Sequence, residues 1–244
     1  MRPLVTAFGL MLGWEVLVWV TGVPPFILPP PSRVLVVLAE RYDLLLAEAV
    51  WTAAEMILGL LLGLVLGGLL AIVFAASAGW RRWALPLVIV SQAIPVIAIA
   101  PLLVVWLGYG MASKVAMAAL VIFFPVVSAL YDGLRRTDPG WLDLARTMDA
   151  GPYAMLLQIR VPAALPAFAS GARIAAAVAP IGAVIGEWVG ASAGLGYLMT
   201  LSLARGQTAL AFAALVVLCL LGLALYYATD RLARLLVPWQ SQGE

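Results

Sequence analysis

The chain has 244 residues, of which 65% are hydrophobic and 11% are charged. Soluble domains carry roughly 45–50% apolar and about 25% charged residues, and the mean hydropathy of this chain is +1.09. A soluble fold could not cover so many apolar residues with polar ones, so the composition predicts a polytopic membrane protein. The net charge of +2 is too small and too dispersed to indicate binding of nucleic acid.

The residue inventory also excludes several kinds of chemistry. The chain has no histidine, which rules out a histidine-based metal site and a Ser–His–Asp triad. Its single cysteine, Cys219, cannot form an internal disulfide or a cysteine-based zinc site. The only lysine, Lys114, follows Ser113 and precedes Val115, which does not match a phosphate-binding P-loop. We therefore expect no metal, no cofactor and no ATPase activity on this chain.

Spanning helices of roughly 20 apolar residues are predicted at six places. Their approximate ranges are 4–22, 52–77, 84–107, 114–131, 171–191 and 208–230. The first is too long for the apolar part of a signal peptide and lacks a cleavage site, so we predict a retained helix. Kinks are expected where proline interrupts a predicted span, at Pro95, Pro101, Pro125 and Pro180. The predicted fold is an all-α membrane protein of about six transmembrane helices, in a single domain over 1–244.

Orientation follows from the distribution of basic residues. With the N-terminus inside, ten of the 14 basic residues fall on inner segments and four on outer segments. The outer four are Arg33, Arg41, Lys114 and Arg205. The sequence thus predicts that both termini are cytoplasmic.

Two connecting segments are long. The outer one, 23–51, begins with five prolines and then reads as an amphipathic interfacial helix from Arg33 to Glu48, with Ser32 as its N-cap. The inner one, 132–170, is far longer than the usual 4–6 residues of a connection. It is either a plain connector or, as we favour, a structured surface that contacts another protein.

The inner segment contains the sequence DLARTMDAGPYAMLLQIRVPAALP at 143–166. This resembles the cytoplasmic "EAA" loop of ABC importer permeases, whose pattern is Glu-Ala-Ala, three residues, Gly, nine residues and Ile-x-Leu-Pro. Asp143, Leu144 and Ala145 take the Glu-Ala-Ala positions, and Ile159 and Pro162 belong to the final group. The spacing fits, but an aspartate, Asp149, stands where the family has glycine. Aspartate tolerates the positive φ that a glycine turn uses.

The resemblance implies a coupling element and a set of partners. Two short helices, about 138–149 and 152–160, would dock into a groove on a separate ATPase subunit, which would bind ATP and Mg²⁺. Asp143 would stand at a helix start, and Pro152 in a first turn. The implied complex holds two permease copies, two ATPase subunits and an extracytoplasmic solute-binding protein in a prokaryotic inner membrane. The implied coupling residues are Asp143, Ala145, Thr147, Asp149, Gly151, Ile159 and Pro162.

Other parts of the chain resemble one branch of this family, which imports nitrate, sulfonates, taurine and the pyrimidine precursor of thiamine. They are the Gly-Glu-Trp-Val-Gly-Ala-Ser-Ala-Gly-Leu-Gly-Tyr run at 186–197, the Pro-Ser-Arg-Val run at 31–34 and the Val-Pro-Trp run at 237–239. The first run is most similar to permeases for the thiamine precursor. The resemblance therefore implies a permease that moves a small polar solute by ATP-driven alternating access.

Acidic residues inside predicted spans are functional candidates. Glu15 lies in the first span, Glu55 near the outer end of the second, where it could reach the interface, and Glu187 among glycines in the fifth. Glu187 either lines the pathway or gate, or hydrogen-bonds a neighbouring helix or subunit. Polar pathway candidates besides Glu187 are Gln92, Ser91 and Ser128. Glycines at 59, 63 and 67 are interpreted as a helix-packing stripe.

Two other functions stay open at this stage. A secondary transporter or channel driven by an ion gradient would also suit six spans with broken helices, and it would need no ATPase. A membrane enzyme fits less well, because the inner-loop aspartates at 132, 138, 143 and 149 show no metal-ligand spacing.

Overall fold

The computed structural model describes residues 2–239, and for residues 2–5, 7 and 89 it describes the backbone alone. This part of the chain is helical and holds no β-strand. The helices are α1 (Arg2–Thr21), α2 (Pro31–Glu40), α3 (Tyr42–Ala76), α4 (Ala78–Ser91), α5 (Val96–Leu107), α6 (Met111–Arg135), α7 (Pro139–Thr147), α8 (Pro152–Ala154), α9 (Val161–Gly190), α10 (Leu195–Ala204) and α11 (Thr208–Leu236). A π-helical segment, Met155–Arg160, joins α8 to α9.

The long helices run back and forth between two ends of a bundle. We call these the α7 end, where α3 and α6 finish, and the α10 end, where α3 begins and α9 finishes. The α10 end also contains α2 and the start of α11, whose Thr208 hydroxyl donates to the Phe26 carbonyl at 2.6 Å. The start of α1 and the finish of α11 both fall at the α7 end.

Within residues 2–239, four helices are long and apolar enough to cross a membrane: Tyr42–Ala76, Met111–Arg135, Pro152–Gly190 and Thr208–Leu236. The 20-residue α1 covers the predicted first span. The prediction of a single helix at 84–107 is wrong, because the chain breaks into α4 and α5 with Pro95 as the N-cap of α5. Proline cannot donate a helical hydrogen bond and disfavours helical backbone at the residue before it, so the expected kink becomes a break.

Small residues bring the central helices α3, α6 and α9 into close contact. A Cβ on Gly63 would lie 2.5 Å from Ile122, and one on Gly182 would lie 2.6 Å from the backbone of Ala118. A Cβ on Gly59 would overlap the Ala118 side chain from the other side. The glycine stripe of α3 therefore packs against α6, as the sequence predicts.

The proline-rich outer segment differs from its prediction. The predicted helix from Arg33 to Glu48 is two helices, because α2 ends at Glu40 and α3 begins at Tyr42. Ser32 is the second residue of α2 and not its N-cap. The carboxylate of Glu15 in α1 accepts hydrogen bonds from the Ser32 amide at 3.0 Å and from its hydroxyl at 2.7 Å. An acid in the first span thus satisfies the start of a neighbouring helix.

The inner segment is also more compact than predicted. α6 continues to Arg135, and only α7 is a separate short helix. The predicted second helix at 152–160 is wrong as an independent element, because it continues without interruption into α9 as a 39-residue rod, Pro152–Gly190. The π segment Met155–Arg160 ends two residues before Pro162. A π turn shifts the hydrogen-bond pattern, so the missing N–H of that proline is tolerated inside the rod.

Candidate functional site

α7 begins with local capping. The Asp138 carboxylate accepts a hydrogen bond from the Gly140 amide at 2.7 Å, and Pro139 occupies the first turn. Asp143 is therefore not at a helix start, as the sequence pattern suggested, but in the middle of α7. It forms an exposed ion pair with Arg146 at 2.5 Å. Its charge is thus paired within α7 and does not cap the helix.

The turn after α7 depends on Asp149. This residue has φ 61°, the one positive φ among the non-glycine residues of the described chain. That conformation is the one favoured by the glycine of the family pattern. The Ala150 amide donates back to the Ala145 carbonyl at 3.0 Å, which closes the helix end. Gly151 follows with φ −67° as the N-cap of α8, so Asp149 alone makes the turn.

An exposed apolar surface lies on α7 and the start of the rod, and we call it the α7 surface. Met148 and Tyr153 are each 75% exposed. The full set is Trp141, Leu144, Met148, Tyr153 and Leu157. The exposed apolar residues of α7 follow each other at spacings of three and four, the signature of one helix face. That spacing is visible in the sequence and could have predicted the α7 surface, but the family pattern covers other positions.

The seven predicted coupling residues divide into two groups. Four are exposed: Asp143, Thr147, Asp149 and Gly151. Ala145 is buried, and Ile159 and Pro162 are half-buried in the rod. The latter three therefore position the segment, whereas the exposed four lie beside the α7 surface.

The α10 end contains buried and half-buried polar residues around Glu187, which is 1% exposed. We call this group the polar cluster; its members are Glu48, Thr52, Glu55, Lys114 and Glu187. Glu187 Oε2 accepts the amides of Gly196 and, at 3.3 Å, Tyr197. Its other oxygen accepts the Thr52 hydroxyl at 2.6 Å. Glu187 is thus hydrogen-bonded to neighbouring helices, which is one of the two alternatives that the sequence left open.

The polar cluster satisfies all four free amides at the start of α10. The Leu195 amide donates to the Thr52 hydroxyl at 2.8 Å, and the Gly194 amide donates to Glu48 Oε2 at 2.5 Å. With the two amides held by Glu187, this accounts for the first four N–H groups that every helix leaves unpaired. Carboxylates at this position also complement the positive end of the helix dipole. α3 and α9 together therefore cap α10.

Lys114 performs the opposite task at the end of α9. It is 2% exposed, and its ammonium donates to the Gly190 carbonyl at 2.5 Å and to the Tyr109 carbonyl at 2.6 Å. A cation at a helix C-terminus complements the negative end of the dipole. The sequence placed Lys114 in an outer segment, and the structure instead buries it between helices. The turn at 191–194 thus lies between the Lys114 ammonium, at the end of α9, and the carboxylates of Glu48 and Glu187, at the start of α10.

Two glycines of the 186–197 run are required by the Glu187 carboxylate. A Cβ on Gly196 would lie 2.7 Å from Glu187 Oε2, and a Cβ on Gly194 would overlap the carboxylate itself. Gly194 also has φ 110°, which side chains rarely adopt. Glycine is therefore required at positions 194 and 196 because the backbone there lies so close to the Glu187 carboxylate.

Glu55 belongs to the same cluster but is incompletely paired. It is 4% exposed, so the expectation that it reaches the interface is wrong. The Glu55 carboxyl group lies near the Glu187 carboxyl group and the Lys114 ammonium. Its Oε2 has no hydrogen-bond partner within the described residues.

The other pathway candidates lie elsewhere. Ser91 and Gln92 are exposed at the break between α4 and α5, and the Ser91 hydroxyl donates to the Val88 carbonyl at 2.8 Å. Ser128 is half-buried in α6. Within the described chain none of the three hydrogen-bonds to Glu187, so the structure does not bring the four candidates into one site.

Comparison with known proteins identifies this architecture. Residues 45–242 match the family model of the binding-protein-dependent transport system inner membrane component. A probable ABC transporter permease protein of Haemophilus influenzae is 50% identical over 94% of this chain and 94% of its own length. The formylaminopyrimidine transport permease protein ThiX of Halalkalibacterium halodurans is 36% identical over 99% of this chain and 97% of its own.

A solved structure agrees on the fold. A chain of the MetNI methionine ABC transporter in an inward-facing conformation superposes with a TM-score of 0.71 at 22% identity, covering 81% of this chain and 98% of that one. The several apolar helices and the similarity to these relatives indicate a multi-pass membrane protein. The chain belongs to the binding-protein-dependent transport inner membrane components and is a permease subunit of an ABC importer.

Proposed function

We propose that this permease moves its solute by ATP-driven alternating access, with the α7 surface as the contact for an ATPase subunit. The observation that carries the proposal is the exposed apolar row of α7, which lies at the end of the bundle where its loops are polar. Isolated soluble surfaces rarely expose such contiguous apolar area unless a partner covers it.

The connections of α7 suit the transmission of movement. It lies between α6 and the continuous rod Pro152–Gly190. A displacement of α7 therefore acts directly on two helices that cross to the α10 end. The rod carries Glu187 near its far end, so a movement that α7 passes through the Asp149 turn to the start of the rod would reach the polar cluster along one continuous helix.

Family membership implies an ATPase, a binding protein and a dimer. We propose two copies of this chain with two ATPase subunits, which bind ATP and Mg²⁺, and one extracytoplasmic solute-binding protein. The complex would lie in the inner membrane of a prokaryote. Eight of the 14 basic residues lie near the α7 end, at positions 81, 82, 135, 136, 146, 160, 231 and 234. By the positive-inside rule, this end and both termini would be cytoplasmic.

For the solute we propose the pyrimidine precursor of thiamine. The support is the 36% identity to a formylaminopyrimidine permease over nearly the whole chain, together with the Gly-Glu-Trp-Val-Gly-Ala-Ser run. Sulfonates and nitrate, as anions, are the competing class. Because Glu187 is buried and occupied by backbone amides, its charge gives no reason to exclude anions from the pathway.

The proposal is tested by purifying the complex from the native source and measuring its ATPase activity. Trp141→Arg with Met148→Arg should release the ATPase subunit, because two charges would enter an apolar contact. Phe26→Arg, which alters an equally exposed apolar residue at the α10 end, should leave the complex intact. If the chain purifies alone and moves solute in liposomes without ATP, the secondary-transporter function replaces this one.

The solute is tested separately. The copurifying binding protein should bind formylaminopyrimidine and not taurine or nitrate in a calorimetric titration. Binding of an anion instead would reassign the solute without affecting the proposed role of α7.

A further inference from the structure

A basic cavity at the α7 end plays no part in the functions described above. It has a volume of about 760 Å³ and lies between the start of α4 and the end of α6. Arg81, Arg82 and Arg135 line it together with Trp83 and Tyr131. The remaining lining residues are small or apolar: Ala78, Gly79, Leu85 and Pro86.

The three guanidinium groups of this cavity lack carboxylate partners. No acidic residue lines the cavity, and none of the three arginines forms an ion pair in the described chain. Arg135 instead lies over the Tyr131 ring, 5.7 Å from its centroid. Three unpaired cations around one concave space repel each other, so an anion that enters the cavity gains from all of them at once.

The opposite end of the protein provides a contrast. Arg33, Arg41 and Arg205 also line cavities, of about 260 and 250 Å³, but Glu40 and Glu48 line the same cavities. These arginines are accompanied by negative charge, whereas the three that line the basic cavity at the α7 end are not. The cavities at the two ends thus have the same number of arginines in their linings and differ in whether carboxylates accompany them.

The surroundings of the cavity indicate where its anion comes from. Trp80 and Trp83 are 64% and 78% exposed at the start of α4, and tryptophans with this exposure are typical of the membrane–water interface. Leu87, further along α4, is also exposed. A ligand here would place a charged group among the arginines and an apolar part along α4. Arginine forms bidentate hydrogen bonds with phosphate oxygens.

We propose that this cavity binds the phosphate headgroup of an anionic phospholipid from the leaflet at the α7 end. Arg81, Arg82 and Arg135 hold the headgroup, and Leu85 and Pro86 contact the beginning of its acyl chains. Basic pockets between transmembrane helices are known to favour anionic headgroups. The site rests on the chain alone and requires neither the ATPase nor the proposed solute.

The test is native mass spectrometry of the full-length chain in detergent, titrated with phosphatidylglycerol or phosphatidylcholine. Wild type should bind phosphatidylglycerol at least about tenfold more tightly than phosphatidylcholine. Arg81→Gln, Arg82→Gln and Arg135→Gln together should abolish most of that preference. The matched triple Arg33→Gln, Arg41→Gln and Arg205→Gln removes the same charge and should change it less than about twofold.

Three outcomes would overturn the proposal. They are an unchanged preference in the first triple variant, an equal loss in the matched triple, and displacement of the lipid by millimolar inorganic phosphate, which would assign the site to a soluble anion. A triple Arg→Lys variant of the cavity keeps the charge, so it should retain part of the preference. Circular dichroism melts of each variant separate loss of the site from loss of the fold.

Discussion

The short helices at the two ends of this permease, α10 and α7, are stabilised in opposite ways. At the α10 end, three side chains from α3 and α9 hold all four free amides of α10, and Lys114 holds the carbonyl at the end of α9. At the α7 end, the capping carboxylate of α7 comes from its own start, and its ion pair lies within the helix. α10 is held by the bundle, whereas α7 is stabilised locally and leaves an apolar face open. The apolar face of α7 is thus free for the proposed contact with an ATPase subunit, whereas α10 is fixed to α3 and α9.

The largest effect should come from crowding the Glu187 carboxylate. Gly194→Ala introduces a side chain at φ 110° and directly against that carboxylate. We expect a loss of about 3 kcal/mol in the free energy of unfolding, from strain together with a displaced buried charge. The measurement is a thermal melt of the purified protein in detergent.

The control for this variant is Gly206→Ala. Gly206 has φ 69° but no neighbour within 4 Å of an added Cβ. It should lose only about 1 kcal/mol, the cost of the backbone conformation alone. Equal losses in the two variants would show that the contact with Glu187 contributes nothing.

A smaller effect is expected from removing one hydroxyl of the polar cluster. Thr52→Val keeps the shape of the side chain but leaves the Leu195 amide without an acceptor and Glu187 without a donor. An unsatisfied buried polar group costs about 1–3 kcal/mol. Hydrogen exchange should show faster opening of α10 in this variant.

Thr200→Val is the matched control, because its hydroxyl donates to the Tyr197 carbonyl in the same helix and its side chain is exposed. We expect its stability to change by less than about 0.5 kcal/mol. If both threonine variants exchange alike, α10 is not held by α3.

The smallest effect on stability should come from α7. Asp143→Asn removes an ion pair whose two side chains are 69% and 60% exposed. Exposed pairs contribute about 0.2–1 kcal/mol, so the melting temperature should hardly change. A loss as large as that of Thr52→Val would show that α7 is held as firmly as α10, and the contrast between the two ends would fail.

Particular residues show how far sequence reasoning reaches. The resemblance in 143–166 correctly located α7 and the turn at Asp149. A turn that requires a positive φ depends on residues adjacent in the sequence, so a local pattern can predict it. The resemblance placed Asp143 at a helix start, and it ended a helix at Arg160 where the rod in fact continues. A π turn that accommodates Pro162 has no sequence signature comparable to a capping residue, so the continuity of the rod could not be predicted. The glycine stripe of α3 was predictable from its spacing, but its partner on α6 was not.

The sequence by itself determined that this is a multi-pass membrane protein, since composition and run length decide which residues can face lipid, and the resemblance in 143–166 implied a permease. It also marked Glu15, Glu55 and Glu187 as unusual, since acids are costly within spans. Only the tertiary structure decided what these acids do. Glu15 accepts hydrogen bonds from the amide and the hydroxyl of Ser32, 17 residues away, and Glu187 accepts one from the hydroxyl of Thr52, 135 residues away. Such partners depend on which helices become neighbours, and helix packing sets that over distances that no local pattern records.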